Sequence, residues 1–156
     1  MTGKFTKDKL QRTDVQRTLP MALLRAREAV MERFRPVLVE SDVTEQQWRV
    51  MRVLNETGET DASDLAARAC LLAPSLTRIM KTLDSKGYIT TRRDPSDGRR
   101  ALVKLTADGL HFVQNVDPIS NAVYEEIEDI LGETRLGTLL DELESVWLSL
   151  NKKQDD

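Results

Sequence analysis

The clearest run of apolar positions lies in residues 74–86. Leu76, Ile79, Met80 and Leu83 recur at i, i+3, i+4 and i+7 and lay one stripe along a helix. Pro74 suits the first helical position, where its missing N–H would be unpaired anyway, and Gly87 supplies the stop. Thr77, Arg78, Lys81, Thr82 and Ser85 fall on the opposite face, with Ser75 on its flank: short hydroxyls and two cations, with no carboxylate. Upstream, Asp61 caps a helix whose Leu65, Ala66 and Ala69 pack against this one, and Cys70 ends it. After Gly87 the period changes from 3.6 to 2. Residues 88–91 and 101–105 are β-branched or aromatic at alternate positions and predict two strands. Asp94-Pro95-Ser96-Asp97-Gly98 between them is turn chemistry. Residues 61–106 thus predict helix, turn, helix and hairpin.

The flanking pattern is helical throughout. Residues 19–38 carry a stripe of Leu23, Leu24, Val30, Met31, Phe34 and Leu38, which Pro36 should bend or end. Arg27 falls inside this stripe. A buried cation is costly unless compensated, so Arg27 should snorkel, pair with a carboxylate or face a cavity that admits an anion. Thr44 caps the next helix with Gln47 at the capping-box position. Trp48, Met51 and Leu54 point inward there, while Glu45, Arg49, Arg52 and Glu56 form a solvated face of i,i+4 pairs. Thr106 caps a long helix that tolerates Gly109 in its first turn and that Pro118 should kink. A last helix from Glu133 turns Leu136, Leu139, Leu140, Leu143, Trp147 and Leu150 inward. The terminal helices, 18–38 and 107–151, hold more apolar surface than the region between them can cover. They should therefore pair with a second copy, against the alternative of a monomer with a helical cap. The fold class expected is mainly α with a small β-hairpin, a winged helix-turn-helix over 44–106 inside a single protomer of residues 18–156.

Charge changes the picture more than composition does. The formal net charge is −3, yet it is segregated. Residues 60–106 hold nine Lys and Arg against five Asp and Glu, whereas residues 107–156 hold three against twelve. Residues 1–17 hold five against two and read as a flexible basic arm. The hairpin tip concentrates Arg92, Arg93, Arg99 and Arg100 around its turn. Four guanidiniums this close repel one another unless acidic neighbours orient them or a polyanion arrives. A helix with a polar, cationic face followed by an Arg-tipped hairpin suits a major groove and a neighbouring minor groove. In this assignment Ser75, Thr77, Arg78 and Lys81 meet the major groove and Arg99 the minor groove, while Asp94 and Asp97 should orient some of the tip arginines. Arg92, Arg93 and Arg100 bind phosphates or stiffen the hairpin.

Several function classes drop out. One His and one Cys, far apart, give no catalytic or metal-ligating constellation, and no phosphate-binding Gly loop is present. No enzyme, metal or cofactor is expected. A single cysteine excludes an intrachain disulfide, and no apolar run approaches the length of a membrane span. A cytoplasmic protein without a membrane partner is expected. Cys70 beside leucines suggests a small core residue; the sharper alternative is a redox-sensing thiol, which needs an exposed, low-pKa site. A winged-helix module whose basic tip binds an acidic protein also stays open.

The chain also resembles a known family. Asp97-x-Arg99, then Val103-x-Leu105-Thr106-x-x-Gly109, with Leu65-Ala66, Leu76-Thr77-Arg78, Leu83 and Lys86-Gly87 before it, is similar to the wing and helix-turn-helix of the MarR (multiple antibiotic resistance regulator) family. The resemblance spans roughly residues 19–150. Stretches 23–38, 44–54 and 68–77 look like one branch, the repressors of homoprotocatechuate degradation. It implies a homodimeric repressor of an aromatic-catabolic operon, bound to a palindromic operator on double-stranded DNA and released by a small aromatic carboxylic acid. Arg27 then becomes the candidate anchor for the acid's carboxylate, with Trp48 as a ring wall.

Overall fold

A computed structural model describes residues 14–152. After a short 3-10 turn at Val15–Arg17 come α1 (Leu19–Glu40), α2 (Glu45–Thr57), β1 (Thr60–Asp61), α3 (Ala62–Arg68), α4 (Ala73–Ser85), β2 (Ile89–Arg93), β3 (Ala101–Leu105), α5 (Ala107–Leu131) and α6 (Glu133–Asn151). The chain forms two compact units that divide between Val116 and Asp117. Of the expected basic arm, residues 1–13 lie outside the described residues.

In the first unit the core is aliphatic. Val50 and Met51 of α2, Leu65 and Ala69 around α3, Leu83 of α4, Val103 of β3 and Val113 of α5 are wholly buried. The strands form an antiparallel sheet of order β1-β3-β2. The hairpin aligns Ile89 with Leu105 and Arg93 with Ala101. Val103, facing Thr60 of β1 and Thr91 of β2, carries the sheet into the core. β1 was not expected, since two residues carry no period for a sequence pattern to detect. The Thr44–Gln47 capping box forms in full.

Three helices end alike. In α4, the N–H of Tyr88 donates to the carbonyl of Leu83 (3.0 Å) and that of Gly87 to Asp84 (2.9 Å), with Gly87 at φ +77°. This is a Schellman motif, whose turning residue must be left-handed. The same pair of bonds closes α1, from Val43 to Leu38 and Asp42 to Val39 (both 3.2 Å). It closes α3 as well, from Leu71 to Ala66 (2.9 Å) and Cys70 to Ala67 (3.2 Å). The turning residues there are Asp42 at φ +55° and Cys70 at φ +53°. Helix α1 thus runs past Pro36 to Glu40, so the proline does not end it. Phe34, Val37 and Leu38 on both sides of the proline are buried, and their burial offsets the lost backbone bond.

The second unit differs. Helix α5 is unbroken through Pro118, and within α6 no residue is buried. Leu140, Trp147 and Leu150, expected to face inward, are 57%, 61% and 77% exposed. In the first unit Leu19, Leu23, Leu24 and Val30 of α1 are likewise exposed.

Candidate nucleic-acid interface

Helix α4 buries Leu76, Ile79 and Leu83 and leaves Thr77, Arg78, Lys81, Thr82 and Ser85 in solvent, with Ser75 half-buried. It starts at Ala73, so Pro74 takes the second position instead of the first, still ahead of the ladder's first obligatory donor. The hydroxyls of Thr77, Thr82 and Ser85 donate to the carbonyls of Ala73, Arg78 and Lys81 at 3.0, 3.3 and 2.9 Å. Their protons are thereby satisfied within the helix, and their oxygens remain acceptors facing outward. The side chains of Arg78 and Lys81 have no hydrogen bond or ion pair among the described residues.

The wing sorts its four arginines. Arg92 donates from Nε and Nη2 to both carboxylate oxygens of Glu59, at 3.0 and 2.6 Å, a bidentate fork. Arg100 donates to Asp61 Oδ2 at 3.0 Å and lies 3.5 Å from Asp94. Arg93 reaches across the turn to the carbonyl of Gly98 (3.2 Å). Of the four, only Arg99 has a side chain without a partner among the described residues, and it is exposed at the tip. Asp97 bonds the main chain of this tip and not the Arg99 guanidinium. Its Oδ1 accepts the Arg99 N–H at 3.0 Å, and its carbonyl accepts the Arg100 N–H at 3.0 Å. Arg92, Arg93 and Arg100 are thus each tied to another part of the wing or its base.

The anchors for those arginines are the residues that sequence reasoning missed. Glu59 and Asp61 lie 33 and 39 residues upstream of their partners, too far for any local pattern to join. Hydrogen bonding from Arg92 holds the Glu59 carboxyl below its usual range. Asp61 is held low first by Arg100 and then by the backbone N–H of Asp64. Asp61 splits its two oxygens: Oδ1 caps α3 at the N–H groups of Ser63 and Asp64, and Oδ2 holds the wing. Gly109 was also misjudged as merely tolerated. A Cβ there would meet the Tyr88 carbonyl oxygen at 2.0 Å, so only glycine lets α5 press against the base of the wing. Thr106 completes that joint. Its hydroxyl donates to the Gly87 carbonyl (2.6 Å) and accepts the Gly109 N–H (3.0 Å), and its own N–H donates to Tyr88 (3.0 Å).

Away from this surface, the expectation for Cys70 changes and that for Arg27 narrows to one of its alternatives, a carboxylate pair. Cys70 is exposed, so it is not a core residue; the left-handed turn at the end of α3 directs it to solvent. Arg27 is not buried either. Its guanidinium pairs with Glu45, and its side chain is 47% exposed. Glu45 in turn takes Arg49 at 2.8 Å, and Arg49 donates to the Ala69 carbonyl at 2.7 Å. The face expected to be plain solvated surface is therefore a link from α1 through α2 to the end of α3. Trp48 is buried, its ring edge-on to Phe112 at 6.3 Å, with Tyr88 against Phe112 at 4.7 Å.

Among the described residues no group of His, Cys, Asp or Glu is placed to hold a metal ion, and no helix is long and apolar enough to cross a membrane. The described geometry is a helix and a braced wing presenting unpaired cations. A family model described as the MarR family matches residues 43–101, the span from α2 into β3. The HTH-type transcriptional regulator FarR of Neisseria gonorrhoeae is 38% identical over 86% of this chain and 94% of its own. The chain belongs to the MarR family. The homoprotocatechuate degradative operon repressor of Escherichia coli is 35% identical over 89% of this chain and 94% of that protein. A solved structure of NadR in complex with 4-hydroxyphenylacetate superposes with a TM-score of 0.74. It is 38% identical and covers 83% of this chain and 92% of that one. This MarR-family chain is a transcriptional regulator with a winged helix-turn-helix, and not an enzyme.

Proposed function

We propose that this MarR-family protein is a cytoplasmic homodimeric repressor that binds a near-palindromic operator and leaves it when a small aromatic acid binds. The observation that carries the DNA reading is the sorting of cations. Wing arginines with nearby carboxylates are consumed in bracing, while Arg78, Lys81 and Arg99 stay free on the helix and the tip. Ser75 and Thr77 add hydroxyls to the same helix. Arg78 with these hydroxyls suits base edges, Lys81 a phosphate and Arg99 a narrow minor groove. Two such heads, one per protomer, match half-sites about 34 Å apart. The exposed leucines of α1 and α6 supply the apolar surface that a second copy would cover.

The acid comes from relatives: one solved as a 4-hydroxyphenylacetate complex, another named for homoprotocatechuate degradation. Arg27 is its candidate anchor. A ligand carboxylate would compete with Glu45 for this guanidinium, and a half-exposed pair is weak enough to be exchanged. Trp48, one turn along α2 from Glu45, is the candidate ring wall. Such a ligand releases DNA only through a difference in affinity between the two arrangements of the heads.

The test is selection of genomic fragments by the purified dimer, followed by titration at two salt concentrations with and without 4-hydroxyphenylacetate. The expected result is a salt-sensitive complex with a discrete fragment that dissociates on adding the acid. No retained fragment, or a complex indifferent to salt, refutes DNA binding. Arg27→Leu is expected to keep operator binding and lose release; a variant that still responds removes Arg27 from the site.

A further inference from the structure

The reading helix is tied to other elements near both its ends, through Arg49 of α2 at the turn before it and through its own C-cap Lys86 behind it. At its front, α4 follows α3 after four residues, Ala69 to Leu72, among which Cys70 is left-handed. The carbonyl just before Cys70, that of Ala69, receives Arg49 from α2 at 2.7 Å. A guanidinium is well placed at a helix C-terminus, where carbonyls lack helical donors and the dipole is negative. Glu45 fixes the other arm of the same guanidinium at 2.8 Å and is itself held by Arg27 of α1. At its back, the C-cap of α4 is Lys86. Its ammonium donates to the carbonyl of Asp42 and lies 3.6 Å from that residue's carboxylate. Asp42 is the turning residue between α1 and α2.

The two grips fall on the two non-glycine left-handed turns of the described chain, at Asp42 and Cys70. A left-handed turn fixes the direction of the chain that leaves it. Tying each turn to a neighbouring element therefore fixes where the reading helix begins and where it ends. Both ties lead to one place, the α1–α2 corner. We infer that Arg49 and Lys86 are positioning residues for DNA recognition: they set the placement of α4 from the α1–α2 corner and touch no DNA themselves. The inference rests on the DNA-binding reading above.

Positioning and mere stabilisation leave different traces. Non-specific affinity comes from free cations and tolerates small displacements, whereas base readout needs side chains in register. Binding is therefore measured for the full-length dimer on two duplexes: the tightest fragment selected by the wild-type protein, and a scrambled duplex of equal length. Arg49→Ala and Lys86→Met are each expected to weaken the selected duplex about tenfold, the size of one lost base contact, with scrambled binding unchanged. Arg49→Lys is expected to behave like Arg49→Ala, because one ammonium does not reproduce the fork between Glu45 and Ala69. Lys86→Arg, which keeps a donor for the Asp42 carbonyl, is expected to restore discrimination. Thermal melting of each variant guards against misfolding, and any that melts within the assay range is read at lower temperature. Equal loss on both duplexes, or wild-type discrimination in Arg49→Ala and Lys86→Met, overturns the positioning role alone. A wild-type protein that does not distinguish the duplexes overturns the DNA-binding reading and this inference with it.

Discussion

The winged region and the last helix solve opposite problems. From α2 to the start of α5, nearly every cap, turn and strand is closed by a named partner, and the core is complete within one chain. Helix α6 has leucines and a tryptophan at helical spacing and buries none of them. Its apolar residues recur at helical spacing as those of α4 do, so helical spacing alone does not tell a face that packs within the chain from one that waits for another. The difference lies in what surrounds it. The winged region is stitched by contacts between residues 20 to 44 apart, such as Arg49 to Ala69 and Lys86 to Asp42. The hydrogen bonds of α6 are confined to its own turns and its cap.

The contrast can be broken at either side. The largest effect is expected from Leu140→Lys combined with Trp147→Lys. Each residue is exposed in the protomer, so the protomer keeps its helicity while the dimer weakens more than about a hundredfold, given the apolar burial lost per side chain. Sedimentation at several concentrations reads this. A dimer as tight as the parent's would show that α6 is ordinary surface. Next is Gly109→Ala, which forces a methyl into the Tyr88 carbonyl. A loss of about 3 kcal/mol in unfolding free energy is expected, at the upper end of overpacking costs. Denaturant titration measures it, and a change below about 1 kcal/mol would mean that the wing base gives way easily.

Within the winged region the arginines sharpen the comparison further. Arg99→Ala should cost on the order of 1–3 kcal/mol of operator affinity with no change in folding, because the side chain is exposed and unpaired among the described residues. Arg92→Ala should do less to binding, and through wing mobility rather than a lost contact. If the two variants lose operator affinity equally, bracing and reading are not separate roles. The smallest effect is acid softening of the wing. Glu59 and Asp61 have carboxyls held below their usual range. Their contribution is therefore complete above the ordinary carboxylate pKa and is lost as pH falls through the depressed folded values. Amide exchange in 92–100 is expected to be flat from pH 8 to about 5 after correction for intrinsic rates, and to accelerate only below the ordinary carboxylate range. Acceleration near pH 6 would count against the two carboxylates.

Local chemistry was legible in the sequence and distant pairing was not. Thr44, Asp61, Pro74 and Gly87 mark their helix ends through contacts a few residues long. The reading face of α4 and the hairpin turn followed from period and turn residues. Of three equivalent helix ends, only the one with Gly87 announced itself, because Asp42 and Cys70 turn left-handed with side chains that carry no such signal. That hidden turn is why Cys70 was placed in the core and is exposed. Arg27 stood out correctly as a cation in an apolar stripe, but its partner Glu45 sits on another helix, eighteen residues on. The wing arginines were legible as a group. Which of them is free depended on Glu59 and Asp61, beyond the reach of any motif.

Asp61 has a consequence for how this region comes apart. One carboxylate serves as the first cap of α3 and as the moorings of the wing. Unzipping the hairpin removes a cation that steadies the cap, and fraying α3 swings away the wing's tether. The amide protons of Ser63 and Asp64 should then exchange in step with those of the strand pair, as one cooperative opening. A single side chain thereby joins the wing and the first helix of the motif into one foldon, and neither can be loosened by mutation while the other keeps its full protection.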